Sequence, residues 1–432
     1  MTTEAEAEIL TRTGPGSAMG ELMRQYWIPA AASGELVADG DPVRLMLLSE
    51  KLVAFRDSSG RVGVMDHRCP HRCASLFFGR NEEDGIRCVY HGWKFDVEGN
   101  CLDMANVPPA QDFKQKVKAK AYAARERAGV VWVFMGDQSN IPALPDIEAT
   151  LTPDAEVNAV FIQRECSYLQ SFEGSIDTSH AGFLHSDLAG RLNFDTASPD
   201  KRGDFIRQPE YEITETKCGT AYGAYHPTED GGNYWRVAHF LFPFWTLSPT
   251  GPIDGHVAAR AWVPMDDTHN MSVYFGVTRK RKAGTNRLAG GVANFTDFEP
   301  NTTDWFGRWR SAANAGNDYR IDRAKQRTES YSGIEGLILQ DTMVTESMGG
   351  IADLPFEHLA PSDQMIAVTR RRMLQAADAL AKSGARPPAA DTPEDFFIAR
   401  SGYFVAPRDA NWLDAYCQRL NEARPERQIA FG

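Results

Sequence analysis

An α+β fold in two domains is predicted for this chain of 432 residues, and three observations carry the prediction. The length is about two to three times that of an ordinary single domain. The first third breaks into short apolar stretches separated by turn signals, as in a small antiparallel sheet or barrel. The remainder groups strands with helical stretches, the pattern of an α+β unit. With 42% hydrophobic and 24% charged residues, the chain can bury real cores, and global disorder is excluded.

The elements follow in order. Met19 to Tyr26 has a helical pattern, which Trp27-Ile28-Pro29 ends because proline disfavours helix in the residue before it. Strands are expected over Val43–Leu48, Leu52–Phe55 and Val62–Met65, with a turn at Asp57-Ser58-Ser59-Gly60. The run Ala128–Phe134 reads as a buried strand closing the same sheet. A polar, proline-bearing stretch from Asp137 to Asp154 places the domain boundary near 150, giving domains 1–150, with a core of about 27–135, and 151–432. Beyond it, Tyr211–Thr216, Tyr234–Phe242, His256–Pro264 and Met271–Val277 read as strands. Asn286–Ser330 is polar, with Trp305 and Trp309 at helical spacing, and reads as an excursion. Pro361-Ser362-Asp363 opens a helix running through Ala381, with Ser383-Gly384 as its stop.

Composition removes several functions. The balance of 46 basic and 58 acidic residues gives a net charge of −12, opposite to that of a nucleic-acid binder. No apolar run approaches the roughly 18 residues of a membrane helix, and Met1–Arg12 is acidic and polar, unlike a secretion signal. Seven cysteines spread over a long chain make a poor disulfide framework and fit a reducing cytoplasm. Four of them lie between positions 69 and 101, among His67, His71 and His91, and a dense Cys/His group of this kind points to metal.

Two constellations carry chemistry. In the first, Cys69-Pro70-His71 and Cys88-Val89-Tyr90-His91 each offer one thiolate and one imidazole on a short loop. Two such pairs suit an iron–sulfur cluster in which two histidines replace two cysteines on one iron. The same residue types also make a zinc set, although zinc pairs usually carry two or more intervening residues and the first pair has one. Cys73 and Cys101 read as small buried hydrophobes. In the second, Glu173-Gly-Ser-Ile-Asp177-Thr-Ser-His180-Ala-Gly-Phe-Leu-His185 concentrates ligand-type residues. A ferrous site that activates dioxygen needs two histidines and one carboxylate on one face. Asp177 and His180 are helical i,i+3 neighbours, but five residues separate His180 from His185, about 140° round an ideal helix. For both to meet one ion, the helix must break or bulge near Ala181-Gly182. The carboxylate comes from elsewhere, and spacing does not choose among Asp341, Glu346 and Asp353.

Cys69-Pro-His-Arg and Cys88-Val-Tyr-His91-Gly-Trp-Lys-Phe-Asp resemble the two cluster-binding loops of Rieske oxygenases, from which Cys73 departs where relatives usually have Gly. Asp177-x-x-His180-x-x-x-x-His185 resembles the iron motif of the same family, and Gln340-Asp341-Thr-Met-Val-Thr-Glu346 resembles its phthalate-dioxygenase branch. Asn317-Asp-Tyr-Arg-Ile-Asp322-Arg and Tyr331-Ser-Gly-Ile-Glu335 do so too, so that the likeness runs from about Gly14 to Ala376. The resemblance implies an all-β Rieske [2Fe-2S] domain followed by a catalytic domain with a central antiparallel sheet flanked by helices, of helix-grip type. It implies that Cys69, His71, Cys88 and His91 hold the cluster, and that His180, His185 and Asp341 hold a mononuclear Fe(II). Asp177 is then no ligand but a bridge, hydrogen-bonded to a ligand histidine and to His71 or His91 of a neighbouring subunit. Glu173 stands where naphthalene-type members carry Asn, and its role is left open.

The implied protein is a terminal oxygenase component in a homotrimer or stacked trimers. Electrons come from a separate NADH-oxidising reductase, and oxygen goes into an aromatic substrate. Tyr234-Trp-Arg236-Val-Ala-His239-Phe-Leu-Phe-Pro-Phe-Trp245 supplies side chains for a flat ring or for a sheet core, and Arg236 could fork a substrate carboxylate. Ring dihydroxylation of an aryl carboxylate is the leading expectation. A demethylating or aryl-ether-cleaving monooxygenase, an electron-transfer iron–sulfur protein and a zinc-stabilised interaction module are the alternatives.

Overall fold

The computed structural model describes residues 2–153, 157–187, 208–255, 257–277 and 297–424. His256 and part of the expected excursion, 286–296, lie outside the described residues. The acidic start forms a helix, Glu4–Thr11, because Thr3 and Glu6 close a capping box over its first turn. A second short helix, Ala18–Met23, leads into the strand Trp27–Ala32.

The expected N-terminal β unit is present as two sheets. A six-stranded sheet joins Trp27–Ala32, Val130–Phe134, Ala121–Arg127, Val62–Asp66, Glu50–Arg56 and Val43–Leu47 in that order. A four-stranded sheet runs through Arg80–Glu82, Gly85–Arg87, Trp93–Phe95 and Cys101–Met104. The smaller sheet exists to present loops. Residues 67–79 lead into its first strand, and residues 88–92 join its second and third.

The second part is built on an eight-stranded antiparallel sheet. Its order is Val157–Arg164, Asn270–Val277, Ala258–Pro264, Trp245–Leu247, Gly232–Leu241, Gly219–Pro227 and Glu210–Thr216, with Gly402–Pro407 also on Gly232–Leu241. Gly232–Leu241 is buried along its whole length because it is paired on both edges: with Gly219–Pro227 on one side, and with Trp245–Leu247 and Gly402–Pro407 in succession on the other. Helix Gln364–Ser383 follows a short 3₁₀ turn at Pro361–Asp363 and stops on Gly384, whose left-handed backbone suits glycine.

Trp305 and Trp309 do not share a helix; residues 297–314 are largely irregular, and the short helices come later, at Ala315–Arg320 and Arg323–Thr328. This stretch is tied to its surroundings by polar contacts instead. Arg308 forks Glu35, Arg44 donates to the Thr303 carbonyl, and the Gln163 amide donates to the Trp309 carbonyl. The apolar core is continuous between the large sheets: Trp132 stacks on Trp245 and Phe275 at 5.7 and 5.8 Å. Among the described residues, no helix is long and apolar enough to cross a membrane.

Candidate metal centres

The two Cys-x-His and Cys-x-x-His loops are folded alike. In each, the residue four positions after the cysteine returns its amide to the cysteine carbonyl: Cys73 to Cys69 and Gly92 to Cys88, both at 2.9 Å. Both of those residues sit at positive φ, +59° and +74°. Glycine is the natural choice there, and at Gly92 a side chain would also press on Ala105. Cys73 accepts the conformation as a non-glycine residue, and it is exposed rather than a buried hydrophobe. Cys101 is buried as expected.

The loops bring four ligand-type groups together. Cys69 and Cys88 are buried as neighbours, and the His71 and His91 rings lie 4.5 Å apart. Burial, with Cys88 alongside, pushes the Cys69 thiol up to about 12, against the pull of the His71 and Arg72 amides. Amides aimed at a sulfur that resists ionising on its own are what a metal-bound thiolate requires. Nδ1 of His91 is sealed from solvent with no hydrogen-bond partner among the described residues. A buried ring nitrogen without a partner is costly, and a metal ligand bond would satisfy it. Trp93 fixes the other ring by stacking on His71 at 4.3 Å, while its own Nε1 donates to Asn106 at 2.8 Å. These residues fit a two-cysteine, two-histidine cluster.

At the second constellation the helix does break, but four to five residues earlier than expected and without a bulge. Helix Tyr168–Ile176 ends at Asp177, whose backbone is extended, and a single turn, Ala181–Leu184, begins after His180. His180 and His185 thus cap the two ends of one turn, and their rings approach across it. Asp177 still meets His180, through a side-chain turn rather than helical stacking. One of its oxygens accepts from the Ser179 amide and hydroxyl at 2.8 and 2.9 Å, and the other lies 3.2 Å from His180 Nδ1.

The third group arrives on helix Leu337–Ser347. Asp341 Oδ1 is 3.0 Å from His185 Nε2 and 3.6 Å from His180 Nε2, and the two Nε2 atoms are 3.1 Å apart. Gln340, which the sequence did not single out, explains why the nitrogens face inward. Its amide donates to the Ile334 carbonyl at 2.7 Å, which turns its Oε1 onto His185 Nδ1, also at 2.7 Å. Asp177 does the same for His180 Nδ1. With both Nδ1 atoms held as donors, both Nε2 lone pairs converge with the carboxylate on one point. Three ligand atoms within 4.8 Å of one another make a facial two-histidine, one-carboxylate set, which fits ferrous iron with open positions opposite.

The charges agree. Burial opposes ionisation of Asp341, but the two imidazoles outweigh it and hold the carboxyl far below the usual range. Burial likewise opposes the imidazolium of His180, but Asp177 and Asp341 raise it above its ordinary value. Glu346 is turned away, accepting from Tyr319 Oη and the Glu165 amide, and Asp353 precedes a short 3₁₀ turn. Glu173 is no ligand in this arrangement: it is buried in a two-pronged ion pair with Arg370, both contacts at 2.6 Å. Arg236 lines the cavity beside the triad and donates to Thr178 Oγ1 at 3.3 Å.

Comparison with known proteins falls on these same two regions. Residues 26–120 match the model of the Rieske [2Fe-2S] domain, and residues 133–416 match that of the LigXa C-terminal domain like family. The chain is 48% identical to the 3-chlorobenzoate-3,4-dioxygenase oxygenase subunit of Comamonas testosteroni over 97% of its own length and 99% of the relative's. It is 35% identical to the phthalate 4,5-dioxygenase oxygenase subunit of Pseudomonas putida, covering 96% and 94%. Among solved structures, dicamba monooxygenase bound to dicamba shares the fold, with a TM-score of 0.56 and 16% identity over 83% of this chain and 98% of that one. Matched through both halves, the chain belongs to the Rieske non-haem iron oxygenases, as an oxygenase component with a [2Fe-2S] domain ahead of a mononuclear-iron catalytic domain.

Proposed function

We propose that the protein dihydroxylates the ring of an aromatic acid, in a head-to-tail trimer supplied by a separate NADH-dependent reductase in the cytoplasm. Cys69, His71, Cys88 and His91 would hold the cluster, and His180, His185 and Asp341 the ferrous ion. When bound, the cluster relays single electrons and the ferrous ion activates dioxygen. The chain's own residues do the rest. Gln340 and Asp177 hold the two histidine Nδ1 protons so that neither ring turns its lone pair away. Val160, Ile162, Ala258 and Tyr274 wall the cavity beside the triad and keep water from the ring to be oxidised. Asp177, on the cavity rim, would accept the hydrogen bond of His71 or His91 from the next subunit.

The observation that carries this reading is the convergence of three ligand atoms beside a largely apolar cavity that also carries Arg236 and Arg260. The two full-length relatives above are named for 3-chlorobenzoate and phthalate, both benzene carboxylates. The test is product analysis under labelled dioxygen, with purified protein, a generic reductase, NADH and a panel holding 3-chlorobenzoate, phthalate and neutral rings. The expected product is a ring diol of an acid carrying two labelled oxygens. One labelled oxygen would replace dihydroxylation by monooxygenation, and turnover of neutral rings alone would overturn the aromatic acid.

A further inference from the structure

The strand Ala258–Pro264 sends one charged side chain into the cavity beside the triad. In register, Arg260 pairs with Tyr274 on one side and Thr246 on the other, and Tyr274 pairs with Val160. Side chains opposite one another share a face, so these four form a row across the cavity floor, and all four line it. Elsewhere, buried arginines meet acids: Arg370 forks Glu173, Arg24 meets Glu50 at 2.9 Å, and Arg400 pairs with Glu148. Arg260 makes no hydrogen bond or ion pair with any described residue, and its Nε is sealed without a partner. Its neighbours are the faces of Trp262 and Tyr274, at 5.2 and 5.3 Å. Trp262 also carries Arg164, at 4.7 Å, so two guanidinium groups share one ring. The Asp341 carboxylate on the same cavity is already committed to the two imidazoles. A half-buried cation with its Nε sealed is costly in such a place until an anion arrives.

We infer that Arg260 is the anchor for the substrate's carboxylate, a role the sequence had offered to Arg236. The inference rests on the aromatic-acid reading above and names the residue that enforces it. A planar guanidinium matches a carboxylate with two parallel hydrogen bonds, and Tyr274 fixes its orientation by stacking. A ring anchored there lies against Val160, Ile162 and Ala258, with its far edge towards the triad on the same cavity. A neutral ring would leave the guanidinium unpaired and is disfavoured for that reason.

Calorimetric titration of the anaerobic, iron-loaded protein with benzoate and with benzamide, its neutral counterpart, tests this without turnover. Wild type is expected to prefer benzoate by at least about 10-fold. Arg260→Gln should weaken benzoate binding about 10- to 100-fold and change benzamide binding by less than about 3-fold. Arg260→Lys, which keeps the charge but not the fork, should fall between them. Benzoate affinity retained in Arg260→Gln overturns the anchor while leaving the aromatic-acid reading standing, and an equal loss of both ligands reduces Arg260 to a structural residue. A wild type without preference for benzoate removes that reading and the anchor together. If Arg260→Gln does not fold, Arg260→Lys decides, and unchanged benzoate binding there overturns the fork.

Discussion

The smallest determinants of the iron site are single hydrogen bonds to its histidines. Gln340 Oε1 can accept only because the Gln340 amide is tied to the Ile334 carbonyl, so its removal frees the His185 ring rather than merely deleting a contact. Gln340→Leu is expected to lower iron affinity about 10- to 100-fold with the fold intact, measured by iron content against chelator concentration. Unchanged iron retention would show that His185 is held by packing alone. Asp177 makes the matching bond to His180 but also lies on the cavity rim. Asp177→Asn should keep both metals, by metal and acid-labile sulfide analysis, yet stop turnover; retained turnover would refute the bridge between subunits. The two Cys/His loops and the string from Asp177 to His185 stood out in sequence because each motif is contiguous, although spacing alone did not fix how the second one folds. Gln340 was not, since its role depends on a histidine 155 positions away. Arg260 left a faint trace, a lone charge in the strand Ala-Ala-Arg-Ala-Trp-Val-Pro, whose meaning required knowing which face lines the cavity.

The iron site is also a property of how elements are placed. Helical periodicity correctly set His180 and His185 on different faces of a continuous helix, and the chain resolves the conflict by ending helix Tyr168–Ile176 at Asp177. Periodicity shows that a break is needed but not where, because the stop depends on the Asp177 side chain capturing the Ser179 amide. That helix end is clamped from outside by the Glu173–Arg370 pair, which ties it to helix Gln364–Ser383. Both partners are almost fully buried, and Arg370 reaches Glu357 as well. Arg370→Met would leave the Glu173 charge buried and unpaired, at an expected cost of about 3–5 kcal/mol in chemical denaturation. The double variant Arg370→Met with Glu173→Leu should recover most of that loss, because no charge is then stranded. A loss below about 1 kcal/mol in the single variant would mean that Glu173 takes up a proton or that water replaces the lost partner.

At the scale of the whole molecule, the strands read from the sequence were placed, whereas Trp27–Ala32, the short strands between Arg80 and Met104, Ala121–Arg127, Val157–Arg164, Gly219–Pro227, Trp245–Leu247 and Gly402–Pro407 were not. Gly219–Pro227 contains four glycines and alanines and a proline, so its burial follows from the neighbours it pairs with rather than from its own pattern. The excursion was legible as polar, but its attachment through Arg308 to Glu35 joins residues 273 positions apart. The surface carries a further long-range signal. Val89 and Tyr90, on the loop between Cys88 and His91, are 59% and 54% exposed, and nearby Phe78 is 63% exposed. Another group of exposed apolar side chains, Met348, Phe356 and Leu359, lies near or on the cavity that shares Asp177 and His180 with the iron site. Two different apolar patches on one chain suit a head-to-tail contact, which closes into a ring if the rotation allows. The loop tip of one subunit would then cover the Asp177 rim of the next. Val89→Asp, combined with Tyr90→Asp, puts two charges into that contact without removing a cluster ligand. The expected outcome is a monomer by light scattering, with the visible spectrum of the cluster retained and turnover lost. An intact trimer would show that Val89 and Tyr90 lie outside the contact, and full turnover from a monomer would show that electrons reach the iron by a route that does not cross between subunits.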